Sequence, residues 1–266
     1  MQKKTILDFQ KMKAAGERIA VLTSYDYPMT GLMDGCGIDM ILVGDSVGVV
    51  VAGYDNTLPV TMEDMIYHTR SVVRARPQAL VVADLPYLSY QTDLSSARLN
   101  AGLLIKEGGA AAVKLEGGAQ VAGTISAICD MDIPVMAHIG LTPQSLHRMG
   151  GFRVQGKGEE QGEKLLADAL AVERAGAFAV VLEGIPMALA GRITAALAIP
   201  TIGIGAGPQC DGQVLVLHDI LGLCSKYAPK FVKRYADLAP VITDAVSSYI
   251  AEVKSGTFPD ERHSFS

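Results

Sequence analysis

DMILVGDS, residues 39–46, is an apolar run of strand length that stops abruptly at a carboxylate and a hydroxyl. The plan recurs downstream. The run 79–83 stops at Asp84, 111–115 carries Lys114 and leads into Glu116, 134–137 leads into His138, and 178–182 leads into Glu183. Stretches such as MILV and PVMA are apolar at consecutive positions, the pattern of parallel strands covered on both faces.

Helical patterns lie between these runs. Thr5 opens a short helix with Ile6, Phe9 and Met12 at helical spacing, and 26–36 reads as a helix with Pro28 in its first turn. Thr61 and Asp64 form an N-cap pattern for a helix reaching about Arg76. Further helices are expected at 94–107, ending on Gly108-Gly109, and at 119–131, 160–175 and 187–196. Further strands are expected at 19–25, 200–203 and around 214–217. Two loops, 47–59 and the Gly-rich 140–158, are long, as loops that line a site often are. A last helical region, 231–254, is broken near Pro240 and precedes a short polar tail. Eight strand-like runs, each followed by helix or loop and with no linker or composition shift, point to a single (β/α)8 barrel domain spanning 1–266. A doubly wound open sheet is the alternative.

With 49% hydrophobic residues the chain can bury a sizeable core. A net charge of −5 without blocks of like charge speaks against a nucleic-acid surface, so small-molecule partners are expected. Cys36, Cys129, Cys210 and Cys224 form no CxxC pair and read as reduced core thiols, a usage that fits the cytoplasm. The first residues show no apolar signal segment, and no apolar run approaches the roughly 18–20 residues of a membrane span.

In a barrel of this kind chemistry sits at the C-terminal ends of the strands. Asp45, Asp84, Lys114, Glu116, His138 and Glu183 all fall there, and Lys114 and Glu116, two apart on one strand, face the same way. Each acid alone is equally well a helix cap or a surface carboxylate. Three carboxylates in one low-dielectric mouth would repel unless a cation compensated, and all-oxygen ligation favours a hard ion such as Mg2+ over Zn2+. Coordination positions left free would suit a bidentate 2-oxo acid, with Lys114 facing its carboxylate; the alternative for Lys114 is a snorkelling surface lysine. Glu183, among apolar neighbours, is a candidate base for proton removal beside a carbonyl, with a structural salt bridge as the rival reading. His138 is a second candidate base, a hydrogen-bond donor to substrate, or a satisfied core histidine. The GIGAG run 203–207 either brings backbone amides to an anion or simply turns the chain. Metal-assisted enolisation at a barrel mouth is as far as the pattern reaches.

VGDSVGVVVAGYDNTLPVT from Val43, ADLPY from Ala83, VKLEGG from Val113, HIGLTPQS from His138, VLEGIP from Val181, GIGAGPQCDGQVLVLHDILG from Gly203 and FPDERHSF from Phe258 follow one another without a large gap. In that order they resemble the 3-methyl-2-oxobutanoate (ketopantoate) hydroxymethyltransferase family. Phe152-Arg153 departs from the Tyr and Lys frequent there, and 224–227 is variable. The resemblance implies a (β/α)8 TIM barrel of the phosphoenolpyruvate/pyruvate type, with a short N-terminal helix and a helical C-terminal region, assembled as a homodecamer. It implies transfer of a one-carbon hydroxymethyl group from 5,10-methylenetetrahydrofolate to 3-methyl-2-oxobutanoate, giving 2-dehydropantoate (ketopantoate) in pantothenate biosynthesis. By position, Asp45, Asp84 and Glu116 match Mg2+ ligands, Asp45, Ser46, Asp84 and Lys114 match keto-acid contacts, and Glu183 matches the proton acceptor. His138 joins the substrate-binding candidates from the pattern alone. A metal-dependent barrel lyase or mutase acting on isocitrate- or phosphoenolpyruvate-type substrates would need a cysteine in a KKCGH-like setting, which this chain lacks. A non-catalytic metabolite-binding barrel would have no need of Glu183.

Overall fold

Eight parallel strands close into a barrel in chain order, the last pairing with the first. They are β1 (Ile19–Thr23), β2 (Met40–Val43), β3 (Leu80–Asp84), β4 (Ala112–Glu116), β5 (Val135–Gly140), β6 (Ala179–Glu183), β7 (Thr201–Ile204) and β8 (Gly212–Leu215). The computed structural model describes residues 3–223 and 229–265. The chain divides into two compact units, Met1–Val216, which holds the barrel, and Leu217–Ser266.

Period-two alternation along each strand separates two environments. Val21, Met40, Leu42, Leu80, Val82, Ala112, Met136, Ala179, Val181, Ile202 and Val214 form one buried cluster inside the barrel. The intervening positions, among them Ile41, Val81, Val113, Leu115, Ala137 and Leu182, are also buried, as expected under an outer layer of helices. On β3 the inward series Leu80, Val82 ends in Asp84, and on β4 Ala112 is followed by Lys114 and Glu116. Register sets these ends side by side: Asp84 pairs with Lys114, Glu116 with His138, and Gly140 with Glu183.

The other end of the barrel is closed by the helix Ile6–Ala15, whose Phe9 is fully buried in the same cluster, with Ile6 and Met12 packed against it. A reciprocal capping box between Thr5 and Asp8 starts this helix, and left-handed Gly16 ends it. Asp26 caps Tyr27–Gly35, and Thr61 with Asp64 boxes Met62–Val73, as the sequence patterns indicate. The helix after β3 runs Leu94–Leu103 and then widens into a π-helical turn, Leu104–Gly108, before left-handed Gly109. Helices Ala122–Cys129, Glu159–Arg174 and Met187–Ala196 complete the outer layer in the first unit.

Several expectations need correction. The two long loops each contain a short turn of helix, Val47–Val50 in one and Pro143–Ser145 followed by Leu146–Met149 in the other, too brief to show as periodicity. The eighth strand is Gly212–Leu215 rather than 214–217, because its first residues, Gly212 and Gln213, are not apolar. Gly205 and Gly207 adopt positive φ and turn the chain directly from β7 towards β8. Asp211 fastens that connection, accepting from Thr201 N (2.8 Å) and Lys13 Nζ (2.8 Å). In the second unit the long helix is Leu238–Ser255, and Pro240 lies in its first turn, where no N–H is needed. Cys36 is exposed, Cys129 half-buried and Cys210 buried, so the core-thiol reading fails for Cys36, while Cys224 and the variable 224–227 lie outside the described residues. Among the described residues no helix is long and apolar enough to cross a membrane.

Because Phe9 fills the barrel floor, Phe9→Ala is expected to lower the unfolding free energy by about 3–5 kcal/mol in a denaturant titration. A loss below about 1 kcal/mol would mean that the floor collapses freely onto the gap.

Candidate active site

Six sequence-selected residues meet at the strand ends as one connected group. Asp45, Asp84, Lys114, Glu116 and His138 are all buried, and Glu183 is slightly more open at the rim. Asp45 N donates to Asp84 Oδ2 (3.0 Å), and Lys114 Nζ lies 2.8 Å from Asp84 Oδ1. Asp84 Oδ1 is buried, and its polar partner is this ion pair. Lys114 Nζ also lies 3.4 Å from His138 Nδ1, whose ring reaches Glu116 Oε1 at 3.6 Å and, through Nε2, Glu183 Oε2 at 3.2 Å. Burial rules out a snorkelling role for Lys114. Ser46 sits beside this group, its Oγ 2.8 Å from Tyr25 Oη. Gly44 makes room here, since a Cβ would come within 2.7 Å of Ser46 Oγ and 3.5 Å of Asp84 Oδ2.

Burial, followed by the neighbouring Asp84 charge, pushes the Asp45 carboxyl up to about 7. Burial and then the Asp45 charge hold Glu116 well above the ordinary carboxylate range. For Lys114, burial favours the neutral amine, but Asp84, Glu116 and Asp45 together outweigh it and keep the ammonium protonated. Burial, and next the Lys114 charge, lowers His138, so the ring is neutral near pH 7. An ammonium facing Nδ1 places the imidazole proton on Nε2, towards Glu183.

Sequence reasoning missed the groups that hold this array. Gln144, in the turn Pro143–Ser145, donates through Nε2 to Asp45 Oδ2 (2.9 Å) and Leu85 O (3.0 Å), and through its backbone N–H to Glu116 Oε2 (2.9 Å). Tyr90 Oη accepts from Glu116 N (3.1 Å) and reaches Gln144 Oε1 at 2.8 Å. Gln144 lies within the HIGLTPQS block, but a neutral amide gives no charge signal; Tyr90 follows ADLPY by three residues.

The donor set suits a hard cation. It is all oxygen, and it contains two carboxyls that burial holds towards their protonated forms. Among the described residues no three His, Cys, Asp or Glu side chains already stand close enough to enclose an ion. Asp84 is turned to the Lys114 ammonium and Asp45 to the Gln144 amide instead.

The family model for ketopantoate hydroxymethyltransferase matches residues 3–261. A 3-methyl-2-oxobutanoate hydroxymethyltransferase of Citrifermentans bemidjiense is 83% identical over 266 residues, covering all of both chains. One from Geobacter metallireducens is 77% identical over 265 residues, covering 100% of this chain and 99% of the other. Among solved structures, phosphonopyruvate hydrolase superposes with a TM-score of 0.64 at 12% identity, covering 100% of this chain and 92% of that one. A 2,3-dimethylmalate lyase of the PEP mutase/isocitrate lyase superfamily gives 0.60 at 15% identity over 98% of this chain and 91% of that one. These two likenesses are of fold alone, and they agree with the closed eight-stranded parallel barrel. Matched along nearly its whole length by the family model and by relatives above 75% identity, the chain belongs to the ketopantoate hydroxymethyltransferase family.

Proposed function

We propose that this chain is a 3-methyl-2-oxobutanoate hydroxymethyltransferase that takes the one-carbon unit from 5,10-methylenetetrahydrofolate and forms 2-dehydropantoate. The supporting observation is the buried layer of Asp45, Asp84, Lys114, Glu116 and His138 with Glu183 at its rim. Asp45, Asp84 and Glu116 would hold Mg2+, which when bound supplies Lewis-acid polarisation of the keto acid. Lys114, kept cationic by its neighbours, attracts the substrate carboxylate, and Ser46, steadied by Tyr25, offers it a hydroxyl. Burial of these side chains gives the reacting groups a low-dielectric setting, in which their charges act strongly on one another.

Glu183 removes the C3 proton. Its neighbour His138 is neutral, with Nε2 3.2 Å from Oε2 but not hydrogen-bonded to it, so the ring packs beside the carboxylate that acts as base without adding a charge. The C3 carbanion equivalent then bonds to the methylene carbon as the first of its two C–N bonds breaks, that electron pair going to a folate nitrogen, which takes up a proton. Water next supplies the hydroxyl as the second C–N bond breaks, its electron pair and a proton from the water leaving with tetrahydrofolate. The same reading includes a homodecameric, cytoplasmic enzyme with 1–266 acting as one barrel domain; sedimentation velocity would test the assembly.

The reading is tested by supplying both substrates to metal-stripped protein with and without Mg2+. Formation of 2-dehydropantoate only with the ion is expected, and no product in either case would overturn it. Glu183→Gln should retain keto-acid binding but slow C3–H exchange with deuterated water by about 10²–10⁴-fold. Unchanged exchange would transfer the base role to His138.

Mg2+ affinity should also depend on pH. An ion that binds carboxylates must displace the proton that the metal-free site keeps on Asp45 up to about pH 7. Affinity therefore rises from pH 6 to 8, with proton release visible by calorimetry in buffers of different ionisation enthalpy. Binding with no pH dependence over that range would contradict the assignment of Asp45.

A further inference from the structure

We infer that Gln144 is a positioning residue that limits Asp45 to one-oxygen ligation and so makes the site select a small six-coordinate cation over a larger one. The inference rests on the proposed ligand role of Asp45, Asp84 and Glu116. Its own support is the hydrogen bonding of a single buried amide.

Gln144 Nε2 donates to Asp45 Oδ2 at 2.9 Å and to Leu85 O at 3.0 Å. On the other side Oε1 faces Tyr90 Oη at 2.8 Å and Gln91 Nε2 at 3.1 Å. The arrangement admits one orientation, because a flipped amide would press its oxygen against a carboxylate and a carbonyl. Gln144 is thus set as a donor towards Asp45, and the backbone N–H of the same residue holds Glu116 Oε2 at 2.9 Å. One oxygen of each carboxylate is occupied. The amide also ties together the ends of three strands, reaching Asp45 after β2, Leu85 after β3 and Glu116 on β4 from a turn that follows β5.

A carboxylate with one oxygen held by a protein donor offers the other to a metal. This matters for ion choice: Ca2+ readily takes both oxygens of a carboxylate in a flexible shell of six to eight ligands, whereas Mg2+ requires near-octahedral geometry. Fixing Asp45 and Glu116 as single-oxygen ligands suits the smaller ion and leaves positions for substrate. Removing the side chain would free Asp45 Oδ2 while the backbone bond to Glu116 persists, so the effect should appear in selectivity before it appears in folding.

The test is calorimetric titration of metal-stripped wild type, Gln144→Ala and Tyr90→Phe with MgCl2 and with CaCl2, without substrate, alongside their metal-free melting temperatures. Gln144→Ala should weaken Mg2+ binding about 10–100-fold, weaken Ca2+ less, and so reduce the Mg2+:Ca2+ preference. Tyr90→Phe, which keeps the amide but loosens its orientation, should move the ratio the same way by a smaller factor. A lower melting temperature with an unchanged ratio would reduce Gln144 to a structural part and overturn the inference. Should Gln144→Ala fail to fold, the Tyr90→Phe ratio decides, an unchanged value counting against it. Absence of Mg2+ binding by the wild type would instead remove the underlying ligand assignment.

Discussion

The ion pair between Lys114 and Asp84, 2.8 Å apart inside the barrel mouth, is the constraint to which the neighbouring side chains conform. One buried ammonium faces Asp84, Asp45 and Glu116, with Glu183 just beyond the intervening imidazole. A single positive charge does not neutralise that array, and the shortfall is met by protons: Asp45 is raised to about 7 and Glu116 is held well above the ordinary carboxylate range. A divalent ion taken up by such an array would exchange for those protons. His138 separates the Lys114 cluster from Glu183. Its Nδ1 edge faces Lys114 and Glu116, its Nε2 edge faces Glu183, and its neutrality keeps it from adding another charge.

The barrel makes this arrangement possible by the way it is filled. Its lower interior is apolar and is closed from beneath by Phe9, so the polar ends rest on a packed apolar base. Backbone geometry matters at the rim as well. Gly140 has φ +93°, and a Cβ there would come within 2.3 Å of Glu183 O, so the close pairing of β5 with β6 that places Glu183 beside His138 depends on a missing side chain.

Much of the barrel and its charged residues was legible because buried parallel strands announce themselves as apolar runs, and an ionisable residue at the end of such a run stands where a barrel opens to its substrate. DMILVGDS shows this, with Met40–Val43 wholly buried and Asp45 two residues beyond it. Gly212 and Gln213 concealed the start of β8, and Pro240 looked like a break when it was a helix beginning. Cys36 misled because a lone thiol has no pattern to mark its exposure. Gln144 and Tyr90 were invisible for a deeper reason. Gln144 lies 99 residues from Asp45, and its role comes from the orientation of an amide rather than from charge or period. Such roles exist only once the fold has brought the loops together.

The chemistry of the mouth depends on its charge imbalance, and the most direct measurement of that imbalance is the unfolding free energy of metal-free protein between pH 5 and 8, for wild type and Asp45→Asn. A carboxyl whose pKa is raised by folding binds a proton more tightly in the native state, so its contribution is lost as pH climbs from the ordinary carboxylate range through about 7. The wild type should therefore lose stability relative to Asp45→Asn across that interval and recover it when Mg2+ is added at pH 8. A difference between the two proteins that stays constant with pH would contradict an Asp45 carboxyl held protonated by its buried neighbours.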